Sequence, residues 1–409
     1  MEDKKMKKQN IYRVLMLVVL TATITFMFTI LVIYNKVSDC YGEGYVSNDK
    51  EIKKSLDEKL NSFKVMLEEK YMGEINEENM VEGAIKGYVD GLGDPYTTYL
   101  TKDEMKEFMD ETNSQYVGIG VYLRANLIDN SILVVGIMKD SPAGEAGMQA
   151  GDIITKIEDE TYTADKMNEA VKNMKGKEGT KVKVTVIRDQ KEIELEITRR
   201  KITVEHVASK MLEDNIAYIQ IDSFDSGVAK AFKEQINKLK DEGAKKLILD
   251  LRSNGGGIVS EATEIADLFL EKNEPILITK AKKTEEEKTI SKNSPIINDM
   301  PVVVLVNEGT ASASEILAGA LKDKYKDTTI VGKTTYGKGV IQVLYNLKDG
   351  SGLKITTEEY FTPNHNKINK EGIKPDIEID LEKDEEGYYI TSMDKDAQIL
   401  KAKEILKNK

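Results

Sequence analysis

The chain has 409 residues, of which 40% are hydrophobic and 32% charged, and its net charge is −12. The length predicts two or three domains with ordinary cores, the acidity argues against general nucleic-acid binding, and a single cysteine excludes a disulfide framework within the chain. The N-terminus is an exception to that acidity. Lys4, Lys5, Lys7, Lys8 and Arg13 precede an uncharged run from Val14 to Tyr34, long enough to cross a bilayer as one helix. The run is long for a signal-peptide core, and no A-x-A site follows it. Val37-Ser38-Asp39 before Cys40 lacks the apolar and small residues of a lipoprotein signal. The expectation is an uncleaved single-pass anchor over 14–34 in the cell membrane. Residues 1–13 then form a basic cytoplasmic stub, and everything after the anchor is extracytoplasmic.

Residues 45–102 read as a helical region. Leu56, Leu60, Phe63, Met66 and Leu67 recur near helical spacing, as do Met80, Ala84, Ile85, Tyr88 and Val89. The first helix is expected only to pack in a bundle. Gly91-Leu92-Gly93-Asp94-Pro95 breaks the second. Residues 103–200 then show a glycine-bearing turn, Tyr116-Val117-Gly118-Ile119-Gly120-Val121, and a strand over Ile132–Ile137. A short helix opens with Pro142 in its first turn. A turn and strand at Gly151-Asp152-Ile153-Ile154, a helix over Lys166–Met174 and a strand over Lys181–Arg188 complete the stretch. This order of pieces resembles the PDZ domains of bacterial proteases. In such domains the glycine turn is the carboxylate-binding loop, so the resemblance makes Val117, Gly118, Ile119, Gly120 and Val121 the peptide-binding residues. Their backbone N–H groups would hold a terminal carboxylate in a nest, and the peptide would add a strand beside them.

From about 201 a second pattern begins. Ile216–Ile221 is a strand, and Ala229, Phe232, Ile236 and Leu239 make one face of a helix. The buried strand Leu247–Leu251 ends in Arg252-Ser253-Asn254-Gly255-Gly256-Gly257. A phosphate loop would need a Walker lysine or G-x-G-x-x-G spacing, and neither is present. A helix over Glu261–Leu270, a strand over Pro275–Thr279 and a solvated charge run at Glu285-Glu286-Glu287 follow. Val302–Val306 has the length and β-branched content of a buried strand. It ends in a small-residue turn holding Ser312 and Ser314. A helix starts there, with Glu315 in its first turn. A strand over Thr328–Val331 leads to Gly337-Lys338-Gly339, and a further strand spans Gly352–Tyr360. A serine on a tight strand-to-helix turn, beside unpaired helix-start N–H groups, suits a nucleophile and its oxyanion. A glycine-flanked lysine suits a base. The plainer alternative is a helix cap in a close-packed turn. His206 and His365 are the only histidines. Each reads as structural or exposed, and no Cys/His cluster supports a zinc site.

Four motifs together resemble the carboxy-terminal processing (tail-specific) serine peptidases, the S41 type. They are Asp94-Pro95-Tyr96-Thr97-Thr98-Tyr99-Leu100, the Asp250-Leu251-Arg252 glycine loop, Gly309-Thr310-Ala311-Ser312-Ala313-Ser314-Glu315-Ile316, and Thr335-Tyr336-Gly337-Lys338-Gly339-Val340-Ile341-Gln342. Gly372-Ile373-Lys374-Pro375-Asp376 matches as well. The resemblance implies that Ser312, not Ser314, is the nucleophile. Lys338 is its base, Gln342 orients the lysine, and the N–H groups of Ala313 and Gly256 (or its neighbour Gly255) form the oxyanion hole. The segment from serine to lysine is one residue longer than the family pattern, and the extra residue is expected in a polar loop over Lys322–Asp327. His365-Asn366 stands where relatives carry glycine, and Asn366 is expected to keep that turn. No metal or organic cofactor is implied. The implied partner is a protein or peptide substrate bound through its C-terminus, with no nucleic acid, and a homodimer through the N-terminal helices or the tail.

The expected architecture is α/β and multidomain. A transmembrane helix and helical region precede a β-rich PDZ domain with two helices, an α/β Ser-Lys protease core over 201–380, and a tail over 381–409 with an amphipathic helix. The competing expectation is a membrane-tethered PDZ scaffold with an inactive core.

Overall fold

The computed structural model describes residues 50–126, 128–383 and 390–409. The expected transmembrane run over 14–34 lies outside them. Among the described residues no helix is long and apolar enough to cross a membrane. The chain divides into two units, Met1–Met80 and Val81–Lys409.

In the first unit helix α1 spans Lys50–Lys70, and helix α2, Glu77–Asp90, begins at the unit's end. The apolar stripe of α1 is present, but Leu56, Leu60, Phe63, Met66 and Leu67 are all exposed. The bundle expected from its periodicity therefore does not form among the described residues.

The second unit starts with strand β1 (Thr98–Leu100), helix α3 (Lys102–Thr112) and strand β2 (Gln115–Gly118). Thr101 and Glu104 close a capping box at the start of α3. Although α3 falls within the boundary expected for the PDZ domain, its Phe108 lies beneath Lys354. A methyl at Gly352 would strike its Met105 sulfur. The PDZ sheet contains β3 (Val121–Asn126), β4 (Ser131–Ile137), β5 (Ile153–Ile157), β6 (Glu160–Thr161), β7 (Lys181–Arg188) and β8 (Lys191–Thr198). Its order is β3-β4-β5-β7-β8, with β6 on β5. Helices α4 (Pro142–Glu145) and α5 (Met167–Met174) pack on it. Ile132, Val134, Ile154, Val182, Val184, Val186 and Ile197 fill its core. Strand β9 (Arg200–Thr203) returns to pair with β2 in the register Gly118↔Arg200.

The peptidase-like core is a six-stranded sheet in the order β10-β11-β12-β15-β16-β19. Its strands are β10 (Val207–Met211), β11 (Ile216–Ile221), β12 (Lys246–Asp250), β15 (Val302–Val306), β16 (Thr328–Gly332) and β19 (Ile377–Glu378). All pairs but β10/β11 are parallel. Such a sheet must be covered on both faces. Alternation along the strands sends Ala217, Ile219, Leu247, Leu249, Val302 and Val304 to one face. There helices α6 (Val228–Asp241), α7 (Val259–Asp267) and α8 (Ala313–Lys324) pack. Ile216, Tyr218, Ile248, Val303 and Leu305 face the other way. That face is covered by the tail helix α9, Ala397–Lys407, through Ile399, Ala402 and Leu406. The apolar side expected to serve a dimer thus closes this chain's own core. A second sheet, β1-β18-β13-β14 with β17 on β18, holds β13 (Pro275–Ala281), β14 (Glu287–Ile290), β17 (Val340–Asn346) and β18 (Gly352–Phe361). The charge run at 285–287 therefore leads into a strand. Helix α8 continues to Lys324, so the expected loop over Lys322–Asp327 shrinks to three residues. The turn after Thr362 persists, but His365 rather than Asn366 takes the left-handed conformation, with φ 62°.

Candidate active site

Strand β15 delivers a turn whose last residue, Ser312, has φ 56° and ψ −117°. A non-glycine residue held there is strained, and such strain persists only where its surroundings over-determine it. The surroundings are dense. Thr310 Oγ1 donates to Leu251 O at 2.8 Å. The N–H of Ala311 and the hydroxyl of Ser314 both donate to Asn254 O, at 2.9 and 3.0 Å. Ser314 is thus a fully buried staple between the serine turn and the glycine loop. As a donor the Ser312 hydroxyl has no acceptor among the described residues, and neither has the N–H of Ala313 at the start of α8.

The glycine loop rises from the end of β12 onto this turn. Gly256 has φ 103°, and a methyl there would lie 2.7 Å from Ser312 Cβ and 2.8 Å from Ala311 O. Only glycine permits that approach. Around Gly255 nothing lies within 4 Å of such a methyl, so Gly256 is the glycine packed against the serine. Its N–H is donated to Asn254 Oδ1 at 2.9 Å. Of the two expected oxyanion donors, Ala313 is open and Gly256 is engaged in an Asx turn.

Lys338 is half-buried on the loop before β17. Its Nζ lies 4.8 Å from the centroid of the Tyr96 ring. Among the described residues no carboxylate pairs with it. Burial, and secondarily the positive charge of Lys354, lower its pKa below the ordinary lysine value. Glu315 and Asp94 act in the opposite sense without overcoming this. No hydrogen bond joins Lys338 Nζ to Ser312 Oγ. Gln342 Nε2 donates to Thr356 Oγ1 at 3.3 Å and to Val340 O at 3.5 Å, and no hydrogen bond joins this side chain to Lys338, which it was expected to orient. The bulge in the β17/β18 pairing falls between Ile341 and Gln342, where it redirects that side chain.

What links the serine and lysine segments is a residue the sequence reading placed only in a helix turn. The carboxylate of Glu315 is fully buried. It accepts the N–H groups of Ser312 (2.8 Å), Gly337 (2.7 Å) and Lys338 (2.9 Å) and the Thr335 hydroxyl (2.5 Å). Burial pushes its carboxyl pKa up, and the four donors pull it back. On the carbonyl side, the buried Tyr360 hydroxyl lies 2.6 Å from Lys338 O and 3.0 Å from Ser312 O. Spacing could have found Glu315, since Ser-x-x-Glu ahead of an apolar run is the capping-box pattern. Tyr96 and Tyr360 carry no local signal of this kind. The structure also explains the Asp94-Pro95-Tyr96-Thr97 motif. Asp94 accepts the Thr97 hydroxyl at 2.6 Å, and Thr97 Oγ1 accepts Thr356 N–H at 3.0 Å. The motif is thereby fixed beside β18, with Tyr96 against the lysine.

The PDZ loop is built differently. The carbonyls of Ile119 and Gly120 are taken by the N–H groups of Ala143 and Met138. Their own N–H groups have no acceptor among the described residues. Gly120 has φ 79° and sits against Ser141. Val117 and Gly118 belong to β2, and Val121 opens β3, whose outer edge is unpaired. Val121 and Leu123 of β3 and Met167 and Val171 of α5 are partly buried against the core of this domain.

Comparison with known proteins agrees with this layout. Residues 215–379 match the family described as peptidase family S41, residues 116–198 match the PDZ domain, and residues 19–104 match the N-terminal domain of the activating protease CtpB. A probable CtpA-like serine protease of Staphylococcus haemolyticus is 39% identical over 310 residues, covering 76% of this chain and 62% of that protein. One from Staphylococcus aureus is 38% identical over 324 residues, covering 79% and 64%. The chain thus spans less than two thirds of these relatives' length. A putative S41 protease from Bacteroides fragilis shares the fold, with a TM-score of 0.55 at 16% identity over 83% of this chain and 91% of that one. The similarity to peptidase family S41 thus lies over residues 215–379, with a PDZ-like stretch ahead of it and a CtpB-like N-terminal stretch ahead of both.

Proposed function

We propose that the chain is a serine endopeptidase that cuts proteins at or near their C-termini. Ser312 attacks the scissile carbonyl as neutral Lys338 takes its proton. The oxyanion develops against the N–H groups of Ala313 and Gly256, the latter turning from Asn254 to the substrate. The intermediate collapses with cleavage of the C–N bond as the Lys338 ammonium gives its proton to the leaving amine, and water then hydrolyses the acyl-enzyme with the now neutral Lys338 again as base. Hydrogen bonds at such sites commonly tighten only with substrate in place. The PDZ loop around Ile119 and Gly120 captures the substrate's terminal carboxylate. The apolar run over 14–34 holds the enzyme in the membrane, with its catalytic part outside the cytoplasm.

The observation that carries this reading is Lys338, a half-buried lysine with a lowered pKa and no paired carboxylate among the described residues, joined to the Ser312 backbone through Glu315. A fluorophosphonate probe tests it. Labelling is expected in the wild-type chain and in Ser314→Ala, and is expected to vanish in Ser312→Ala. Wild-type protein that takes no label sinks the proposal. It would favour the second reading, a PDZ binding protein with an inactive core. The engaged Gly256 N–H is the observation on that side.

A further inference from the structure

The glycine loop that abuts Ser312 is itself gripped by a second loop, residues 221–225. Ile221 O accepts Asn254 Nδ2 at 2.9 Å. Phe224 N–H donates to Gly256 O at 2.9 Å, and Phe224 O accepts Ile258 N–H at 2.8 Å. The Phe224 side chain is fully buried. A methyl on Gly257 would lie 2.6 Å from Phe224 O, so the two backbones are in direct contact.

This second loop is fastened from outside by one histidine. His206 stands between β9, which pairs with the PDZ strand β2, and β10 of the core sheet. Its Nδ1 lies 2.7 Å from Asp222 Oδ1 and its Nε2 lies 3.0 Å from Asp225 Oδ2. Asp222 N–H also donates to His206 O at 3.2 Å. A ring with a carboxylate at both nitrogens donates from both, which defines the imidazolium form. Asp222, at the end of β11, and Asp225, ahead of α6, are the charged groups that interact with the ring. Glu205 is its chain neighbour. Glu261 is engaged further along, on the N–H groups of Gly227 and Ala229.

We propose that His206 is a positioning residue. As imidazolium it clamps Asp222 and Asp225, fixes Phe224 and thereby sets Gly256 against Ser312, and its deprotonation in alkali loosens the glycine loop and lowers peptidase activity. The activity part rests on the Ser-Lys reading above. Burial alone would lower the histidine pKa, but the two carboxylates outweigh it and raise it from 6.5 to about 9. The folded value exceeds the unfolded one. The clamp is therefore complete below about 6.5 and is lost as pH rises through about 9. Lys338 works in the other direction, becoming a competent base as pH rises, so the profile has a rising and a falling limb.

The test is the kcat and KM profile of the full chain against pH, with wild type, His206→Gln and Asp225→Asn. His206→Gln is expected to lower kcat by about tenfold, to leave KM within about twofold and to lack the falling limb. Asp225→Asn is expected to keep that limb but move it to lower pH, because one of the two carboxylates that raise the pKa is gone. With two histidines in the chain, ring NMR follows the His206 titration directly. A His206→Gln enzyme with wild-type kcat and an unchanged falling limb overturns the proposal. Amide exchange at Phe224 and Ile258, compared between wild type and His206→Gln at one pH, separates this proposal from the peptidase reading. Faster exchange in the variant supports the clamp, and unchanged exchange overturns it. Faster exchange in a chain that cleaves nothing leaves the clamp standing and sinks the peptidase reading.

Discussion

The serine–lysine site and the PDZ loop use the same backbone groups in opposite ways. At the first, the N–H groups of Ser312, Gly337 and Lys338 converge on one buried carboxylate, and two carbonyls flank one tyrosine hydroxyl. At the second, the carbonyls of Ile119 and Gly120 are bonded while their N–H groups are left open. The difference suits the task proposed for each. Chemistry needs reacting groups held within a fraction of an ångström. Capture of a free carboxylate needs donors that no internal group has already satisfied.

The sharpest way to break the catalytic half is at the lysine. An unperturbed lysine, with a pKa near 10.4, is protonated at neutral pH. The lowered pKa of Lys338 is what would let it accept a proton. Lys338→Arg keeps size and charge but cannot deprotonate. It is expected to lose peptidase activity by on the order of 10³-fold or more, with unchanged circular dichroism and unchanged PDZ binding. Substantial activity in the purified variant would exclude lysine as the base.

A second, smaller effect tests the link between the two segments. Glu315→Gln keeps the shape but sets an NH2 against donors that need acceptors. Each buried donor left unsatisfied costs about 1–3 kcal/mol, so urea unfolding should show a loss of at least that order. The kcat is expected to fall more than KM changes. Wild-type stability and rate in this variant would mean that the carboxylate does not organise the site.

The smallest effect belongs to the open loop. Replacing a peptide's terminal carboxylate by an amide is expected to weaken binding about tenfold, equivalent to about 1.4 kcal/mol. Fluorescence anisotropy with the full-length Ser312→Ala chain would measure it without cleavage. Equal affinity for the acid and amide forms would remove the carboxylate from the account.

Legibility in the sequence followed burial and range. Lys181–Arg188, Ile216–Ile221 and Val302–Val306 are strands with the bounds the sequence predicts, because a strand covered on one or both faces writes a dense apolar pattern into consecutive residues. The edge strand Glu287–Ile290 was hidden, since its mostly exposed side chains leave a charged pattern. The tail helix was legible as amphipathic, but its partner was not, since Ile399 and Leu406 meet strands far away in sequence. The serine turn and the lysine loop were readable as motifs. The bond from Glu315 to Gly337 and the approach of Tyr96 to Lys338 were not, because nothing local to either residue encodes a contact made only after the sheets assemble.

That last property has a kinetic side. The Thr97–Thr356 bond closes a separation of 259 residues, and the ion pair of Arg252 with Asp396 closes 144. Parallel β12, β15 and β16 likewise pair across intervening helices. Contacts so distant form late, because closing long loops is entropically costly before any contact compensates it. A growing chain that has passed Ser312 but not yet reached Thr356 and Asp396 lacks the strand beside Tyr96 and the cover on the far face of the sheet. The setting of Tyr96 beside Lys338 and the cover on the far face of the sheet therefore wait for residues synthesised well after Ser312.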